Sequence, residues 1–175
     1  MAKADPDRIY AFEYLYINIF GYVNENYGYK VCDSILKMLA ADVSSQPYFV
    51  VGCRLYSDFF LILTADENRE LLEEHLRKRN QRFTNMQNHQ YPNSGMGVTA
   101  GVYILENTKM DIDLAIENAN LAWKHAKRAG ARQIIFYTPD LRTLRVEEQK
   151  VVGEFFEALY RDDFQMYLQP KFLLG

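Results

Sequence analysis

Apolar and polar positions recur along the chain with two different periods, and the switches between them mark its elements. Ile9 to Asn18 interleaves aromatic and aliphatic residues and predicts a buried strand. Phe20 to Tyr27 predicts a short helical or turn segment that ends at Gly28. Between Lys30 and Ala41, Val31, Ile35, Met38 and Leu39 fall at helical spacing and predict an amphipathic helix. Two apolar runs follow, Tyr48 to Cys53 and Phe59 to Thr64. They flank Arg54-Leu55-Tyr56-Ser57-Asp58-Phe59-Phe60 and predict strand, tight turn, strand, with one carboxylate at the tip. Asp66 is the expected N-cap of a long charged helix reaching about Gln87, with a thin apolar stripe of Leu72, Leu76 and Phe83. From Thr84 to Gly95 the chain turns polar, with Pro92, Asn93 and Ser94, and reads as loop. Met96 to Leu105 predicts another strand. Asp111 is the expected cap of a helix to Ala129 whose inner face is small: Ala115, Ala119, Ala122 and Ala126. Gly130 suits the position just past its end. Gln133 to Tyr137 predicts a last strand. Pro139 then opens a helix to about Tyr160, with Leu144, Val152, Phe155 and Leu159. Phe164 to Leu168 starts a new extended segment with no partner left for it.

This order predicts an α/β fold: a mixed central β-sheet flanked by helices, with helices serving as the crossovers that parallel strands need. The 175 residues suit one compact domain with a short extension, divided near Thr138. Hydrophobic residues at 49% and charged residues at 25% match an ordinary globular core. A net charge of -3 argues against wholesale binding of nucleic acid or anionic membrane. The thirteen Tyr and eleven Phe are expected to bulk out the core rather than form a stacking surface. Cys32 and Cys53 match no metal spacing and read as a reduced pair. His75, His89 and His125 form no spaced metal set. No apolar run near the hairpin approaches the roughly 20 residues of a membrane span, and no charged-then-apolar leader is seen, so a cytoplasmic location is expected.

Ordered motifs carry a resemblance. Tyr16-Ile17-Asn18-Ile19-Phe20-Gly21-Tyr22-Val23-Asn24-Glu25-Asn26-Tyr27-Gly28-Tyr29-Lys30-Val31-Cys32-Asp33 is similar to D-x-D-x-F-K-x-x-N-D-x-x-G-H-x-x-G-D, with Phe20, Asn24, Gly28 and Asp33 in register. Arg54 stands two places before Tyr56-Ser57-Asp58-Phe59-Phe60, where the pattern has G-G-[DE]-E-F. Thr99-Ala100-Gly101 resembles an S-x-G strand, and Ala119 to Gly130 resembles A-D-x-A-L-Y-x-A-K-x-x-G. Over Ile9 to Tyr137 the chain thus resembles the GGDEF, or diguanylate cyclase, family, whose enzymes join two GTP molecules into cyclic dimeric GMP. The resemblance implies a nucleotidyl-cyclase-like sheet with a ferredoxin-like palm core. The family's leading L-T-G-L-x-N-R signature is missing. Phe164-Gln165-Met166-Tyr167-Leu168-Gln169-Pro170 looks like the opening strand of an EAL phosphodiesterase domain. Glu157-Ala158-Leu159 precedes that strand and reads as a coincidence of letters within the helix. The implied layout is a degenerate GGDEF domain over 9–138, a linker helix over 139–162 and the start of an EAL domain over 163–175.

Cyclase chemistry needs metal ions to neutralise charge on the transferring phosphoryl group, and Mg²⁺ takes hard carboxylate oxygens. At the family's ligand positions this chain has Tyr16, whose neutral phenol is a poor ligand, and Phe59, which is none. Asp58 alone remains as a metal candidate. Tyr56 and Ser57 replace two glycines and remove their conformational freedom. Pro47-Tyr48-Phe49-Val50 stands where the family's inhibitory R-x-x-D would be, so product feedback there is not expected. The resemblance implies nucleotide binding by Asn24 and Asp33 at the guanine edge, by backbone amides around Phe20 and Gly21, and by Lys127 at phosphate. The next basic partner falls on Ala131, with Arg132 one place late.

Plainer roles stay open. Asn24 suits a turn cap, Asp33 a solvated helix position, Lys127 and Arg128 a helix C-terminus, and Asp58 a turn. The leading expectation is a catalytically inactive regulatory module in cyclic dimeric GMP signalling that controls a following EAL phosphodiesterase. On this reading no cofactor is required, and GTP with Mg²⁺ is the ligand the surviving positions suggest. The partners implied are the EAL domain and a second copy of the chain, with no nucleic acid and no membrane. A ligand-free docking module and an active cyclase with a modified metal site are the alternatives.

Overall fold

The computed structural model describes residues 5, 7–92, 94–106, 111–130 and 133–169. Its elements are β1 (Ile9–Asn18), α1 (Phe20–Tyr27), α2 (Tyr29–Ser44), β2 (Phe49–Tyr56), β3 (Phe59–Asp66), α3 (Arg69–Gln90), β4 (Gly97–Ile104), α4 (Ile112–Ala129), β5 (Ile134–Phe136) and α5 (Pro139–Tyr160). The sheet order is β2-β3-β1-β4-β5. Among the described residues only β4 and β5 pair in parallel. β1 lies between β3 and β4, antiparallel to both. The chain divides into two compact units, 1–138 and 139–175.

Alternation along the strands sorts the core into two layers. On one face Leu15, Ile17, Phe60, Ile62, Val98 and Ala100 meet Val23, Cys32, Ile35, Leu36 and Leu39 of α1 and α2 and Phe83 of α3. On the other face Tyr14 and Tyr103 meet Ala115, Ala119 and Trp123 of α4. The small inner face expected of α4 is what lets it lie close. A Cβ on Gly101 would fall 2.0 Å from the Trp123 backbone nitrogen and 2.2 Å from the Ala119 carbonyl. Asp111 caps α4 as expected, accepting from the Asp113 amide at 2.9 Å.

Two local expectations are corrected. The cap of α3 is Asn68, whose Oδ1 accepts from the Leu71 amide at 2.9 Å. Asp66 instead ends β3 opposite Ile9, and its carboxylate meets His75 Nδ1 at 2.7 Å. The polar stretch from Thr84 is not loop. α3 continues through it to Gln90, with Thr84 and Gln87 buried and Asn88 bonded. Asn88 Nδ2 donates to the Thr84 and Met96 carbonyls, both at 2.7 Å, and Gln87 Nε2 reaches Met38 Sδ at 3.2 Å. Phe164 to Leu168 is exposed and unpaired among the described residues. Asn93, Ala131, Arg132 and Pro170 lie outside the described residues.

A buried ion pair between Glu13 of β1 and Arg79 of α3 joins sheet to helix. The two side chains are 0% and 1% exposed. Burial pushes the guanidinium pKa down, but the adjacent Glu13 carboxylate more than offsets this and the net shift is upward. Removing one member strands the other charge, at a cost of about 3–5 kcal/mol, whereas apolar replacement of both is often near neutral. Arg79→Leu is therefore expected to destabilise by roughly 3 kcal/mol or more in urea unfolding, and Glu13→Leu/Arg79→Leu is expected to recover most of that loss. A double variant no more stable than the single one would contradict this.

Candidate functional site: an aromatic-filled hairpin

The β2–β3 hairpin turns through Ser57 and Asp58 alone. Ser57 takes φ 46, a conformation that glycine adopts freely and serine does not. Arg54 Nε holds the Ser57 carbonyl at 2.5 Å. The tip folds onto the end of β1, where the Ile17 amide donates to the Asp58 carbonyl at 3.3 Å. Tyr56 lies opposite Phe59, and Phe59 opposite Tyr16.

Five rings converge beneath this tip. Phe59 lies 4.6 Å from Tyr16, 4.8 Å from Tyr56, 4.9 Å from Trp123 and 5.6 Å from Tyr14, centroid to centroid. These separations suit tilted and edge-to-face aromatic pairs, each worth about 0.5–1.5 kcal/mol beyond burial. Lys127 lays its ammonium over the rings of Tyr16 and Trp123, 5.2 and 5.3 Å from their centroids. Both distances lie within cation–π reach. The Tyr14 and Tyr56 hydroxyls meet at 3.1 Å. Burial, with the Tyr56 hydrogen bond, pushes the Tyr14 phenol well above its ordinary range. Burial and the Asp58 charge raise Tyr16 as well.

Asp58, at the hairpin tip, is 6% exposed. Burial raises its carboxyl pKa, opposed by its hydrogen bond with Ser57 and by the charges of Lys127 and Arg54. Its charge also reaches Cys32, whose thiol is raised by burial and by Asp33 and Asp58. No group of three or more His, Cys, Asp or Glu able to hold a metal exists among the described residues. With phenol and phenyl groups at the neighbouring positions, the donors around Asp58 do not fit a divalent ion.

The remaining candidates lie apart from the tip. Phe20 and Gly21 open α1, behind Ile19 at φ 64. The first intrahelical bond there runs from the Val23 amide to the Ile19 carbonyl at 3.2 Å, which leaves the amides of Phe20 and Gly21 outside the ladder. Gly21 has open space on its Cβ side. Asn24 is half-buried, and its Oδ1 has no hydrogen-bond partner. The turn at Gly28 is closed by the Asn24 main-chain carbonyl at 3.0 Å, not by its side chain. Asp33 is exposed at the fifth residue of α2, just past its first turn. A groove of about 400 Å³ between α2 and the hairpin is lined mainly by apolar residues such as Leu36, Phe49 and Phe60, with Lys37 and Arg54 as its cations.

Residue spacing alone did not single out Tyr14 or Trp123. The signal existed: Tyr14 and Tyr16 share a strand face, and Trp123 and Lys127 share a helix face at i, i+4.

The family model described as the diguanylate cyclase GGDEF domain matches residues 2–133. The chain belongs to the GGDEF family. Solved structures agree on the fold. The active GGEEF domain of a diguanylate cyclase from Vibrio cholerae aligns with TM-score 0.63 at 22% identity, covering 74% of this chain and 83% of that one. The GGDEF domain of DgcB from Caulobacter crescentus, solved in complex with c-di-GMP, aligns with TM-score 0.62 at 16% identity, over 74% of this chain and 78% of that one. Among curated proteins, the biofilm architecture maintenance protein MbaA of Vibrio cholerae is 26% identical over 91% of this chain and 21% of its own length. An uncharacterized Synechocystis protein, sll1895, is 24% identical over 85% of this chain and 22% of its own. The chain thus spans about a fifth of the curated relatives it matches. In this GGDEF domain the β2–β3 turn reads Tyr56-Ser57-Asp58-Phe59-Phe60. No helix among the described residues is long and apolar enough to cross a membrane.

A raised folded-state pKa at Asp58 means the folded protein holds that proton more tightly than the unfolded chain does. Stability then rises as pH falls through the raised value toward the ordinary 3.8, and the full cost of the buried charge is felt above it. Asp58→Asn is expected to raise the urea midpoint at pH 7, with the gain shrinking near pH 3.8. A gain independent of pH, or a loss at pH 7, would contradict the burial account.

Proposed function

We propose that this GGDEF domain is catalytically inactive and serves as a regulatory module of cyclic dimeric GMP signalling, acting on a following EAL phosphodiesterase domain. One observation carries the reading. The place beneath the signature turn where metal ligands would converge is filled by Tyr16, Phe59 and Trp123, with Lys127 laid over two of the rings. Rings in van der Waals contact leave no room for a hydrated divalent ion, and a lone buried carboxylate gives it one ligand.

GTP is the ligand this module takes, as a signal rather than a substrate. The unpartnered Asn24 Oδ1 supports that choice, because a buried acceptor left unmade costs about 1–3 kcal/mol. Asp33 would accept from the guanine N–H groups, and the free amides of Phe20 and Gly21 would face phosphate. Lys127, committed to the rings, would not. Binding would act on the EAL domain through the linker helix α5, to the extent that GTP favours one of two arrangements. A ligand-free docking module is the second reading. It is favoured by α5, which buries no residue and exposes Leu144, Val151, Val152, Phe155 and Leu159.

The purified chain with GTP and Mg²⁺ is expected to form no cyclic dimeric GMP, and measurable turnover would overturn the reading. Calorimetry with GTP is expected to show binding that weakens by roughly tenfold in Asn24→Ala and in Asp33→Ala. Absence of heat from the wild type would leave the docking reading in its place.

A further inference from the structure

The sheet ends in two unlike edges. β5 is three residues long, the very short kind of edge that resists further pairing. β2 runs for eight residues and has no strand beyond it among the described residues. Edge strands are ordinarily blunted by proline, lysine or inward-pointing charge. β2 has no proline and one charge, Arg54. It leaves Val50, Val51, Leu55 and Tyr56 each 40% exposed or more. Its irregularities fall between Phe49 and Val51 and between Arg54 and Tyr56, so 51–54 stays regular.

The backbone parity of that stretch is fixed by its neighbours. The Ile17 amide bonds the Asp58 carbonyl, and the Ala65 amide bonds the Tyr48 carbonyl. Along β3, even-numbered residues therefore turn their backbone groups to β1 and odd-numbered residues turn theirs to β2. Val51 and Cys53 lie opposite Leu63 and Leu61, so β3 takes up their amides and carbonyls. Those of Gly52 and Arg54 point out from the free edge. On the α2 side nothing bulky stands over this edge, because α2 presents Ala40, Ala41 and Ser44 toward Gly52, Cys53 and Arg54.

We propose that β2 pairs antiparallel with β2 of a second copy of the chain, about a two-fold axis at Cys53, joining the two sheets into one. This register sets Gly52 of each copy opposite Arg54 of the other, each pair exchanging both of its outward bonds. Every Arg54 then meets a glycine, where no side chain opposes it. An axis at Arg54 would set two like charges face to face, and an axis at Gly52 would pair two residues with no side chain to pack. With the axis at Cys53, Val51 falls beside Leu55 of the second copy and Val50 beside Tyr56, so each exposed apolar residue of β2 finds another. Such an interface is isologous and closes on itself. It uses none of Asn24, Asp33 or Lys127, and stands whether or not GTP binds.

Cys53 reports the register. It is exposed, whereas Cys32 is buried. Across the axis the two Cys53 residues form a non-hydrogen-bonded pair with Cα atoms about 4.5 Å apart, within reach of a disulfide. Diamide, which takes up the two thiol hydrogens, is expected to link the wild-type chain into a Cys53 disulfide dimer. In Cys53→Ser/Leu55→Cys the two thiols would stand on the order of 13 Å apart along the strands, beyond the roughly 7 Å that a disulfide spans, and far less linked dimer is expected. Sedimentation equilibrium of Cys53→Ser, which cannot form the disulfide, is expected to show a reversible dimer whose fraction rises with concentration. Cys53→Lys changes an exposed residue and sets two ammonium groups opposite each other. It is expected to weaken dimerisation by at least about tenfold. A chain monomeric at every concentration would leave the edge to another protein's strand and overturn the proposal. A dimer indifferent to Cys53→Lys, or equal cross-linking at the two cysteine positions, would overturn it as well.

Discussion

The contact of α4 with Gly101 is the constraint on which the hairpin site depends. With no Cβ at Gly101, the backbones of β4 and α4 approach to within side-chain-excluding distance at Ala119 and Trp123. A stripe of alanines at Ala115, Ala119, Ala122 and Ala126 keeps the rest of the helix equally close. Because of that approach, the bulk of Trp123 is forced sideways across β1, onto Tyr14 and Tyr16. Lys127, one turn further along, arrives over the same rings. A side chain at 101 would lift the helix and pull both residues off the hairpin.

What the rings replace is as informative as what they do. A phosphoryl-transfer site depends on hard charge held open to a nucleotide. Here the same junction of β1, hairpin and α4 is built from apolar contact. One carboxylate, Asp58, is kept but buried, with its ionised form disfavoured by that burial. The ammonium of Lys127 supplies positive charge that needs no external ion. The sheet of a GGDEF domain is present, and among the described residues no cluster of three or more metal-binding side chains forms around its turn.

Much of the fold was legible because it rests on local signals. The alternation of Ile9 to Asn18 marks β1 at both ends, Asp111 caps α4, and Pro139 opens α5. The errors fell where tertiary contacts outvote local pattern. Asp66 has the chemistry of a cap, but β3 extends through it and Asn68 takes the role. Thr84 to Gln90 has loop-like composition, yet its polar side chains find carbonyl and sulfur partners that only the folded chain presents. The site followed the same rule. The motif register located Tyr16, Asp58 and Phe59, but their meeting with Trp123 required knowing how closely α4 lies. The Glu13–Arg79 pair was invisible for a related reason: nothing near either residue in sequence indicates that each is buried against the other.

The central claim is that packed rings, not a metal ion, occupy the junction beneath the signature turn. Its most direct measurement is anomalous diffraction from crystals of the chain grown with GTP and MnCl₂. The account predicts Tyr16, Phe59 and Trp123 in mutual contact and no manganese peak within coordination distance of Asp58. A manganese ion bound to Asp58, with the rings displaced to admit it, would contradict the account.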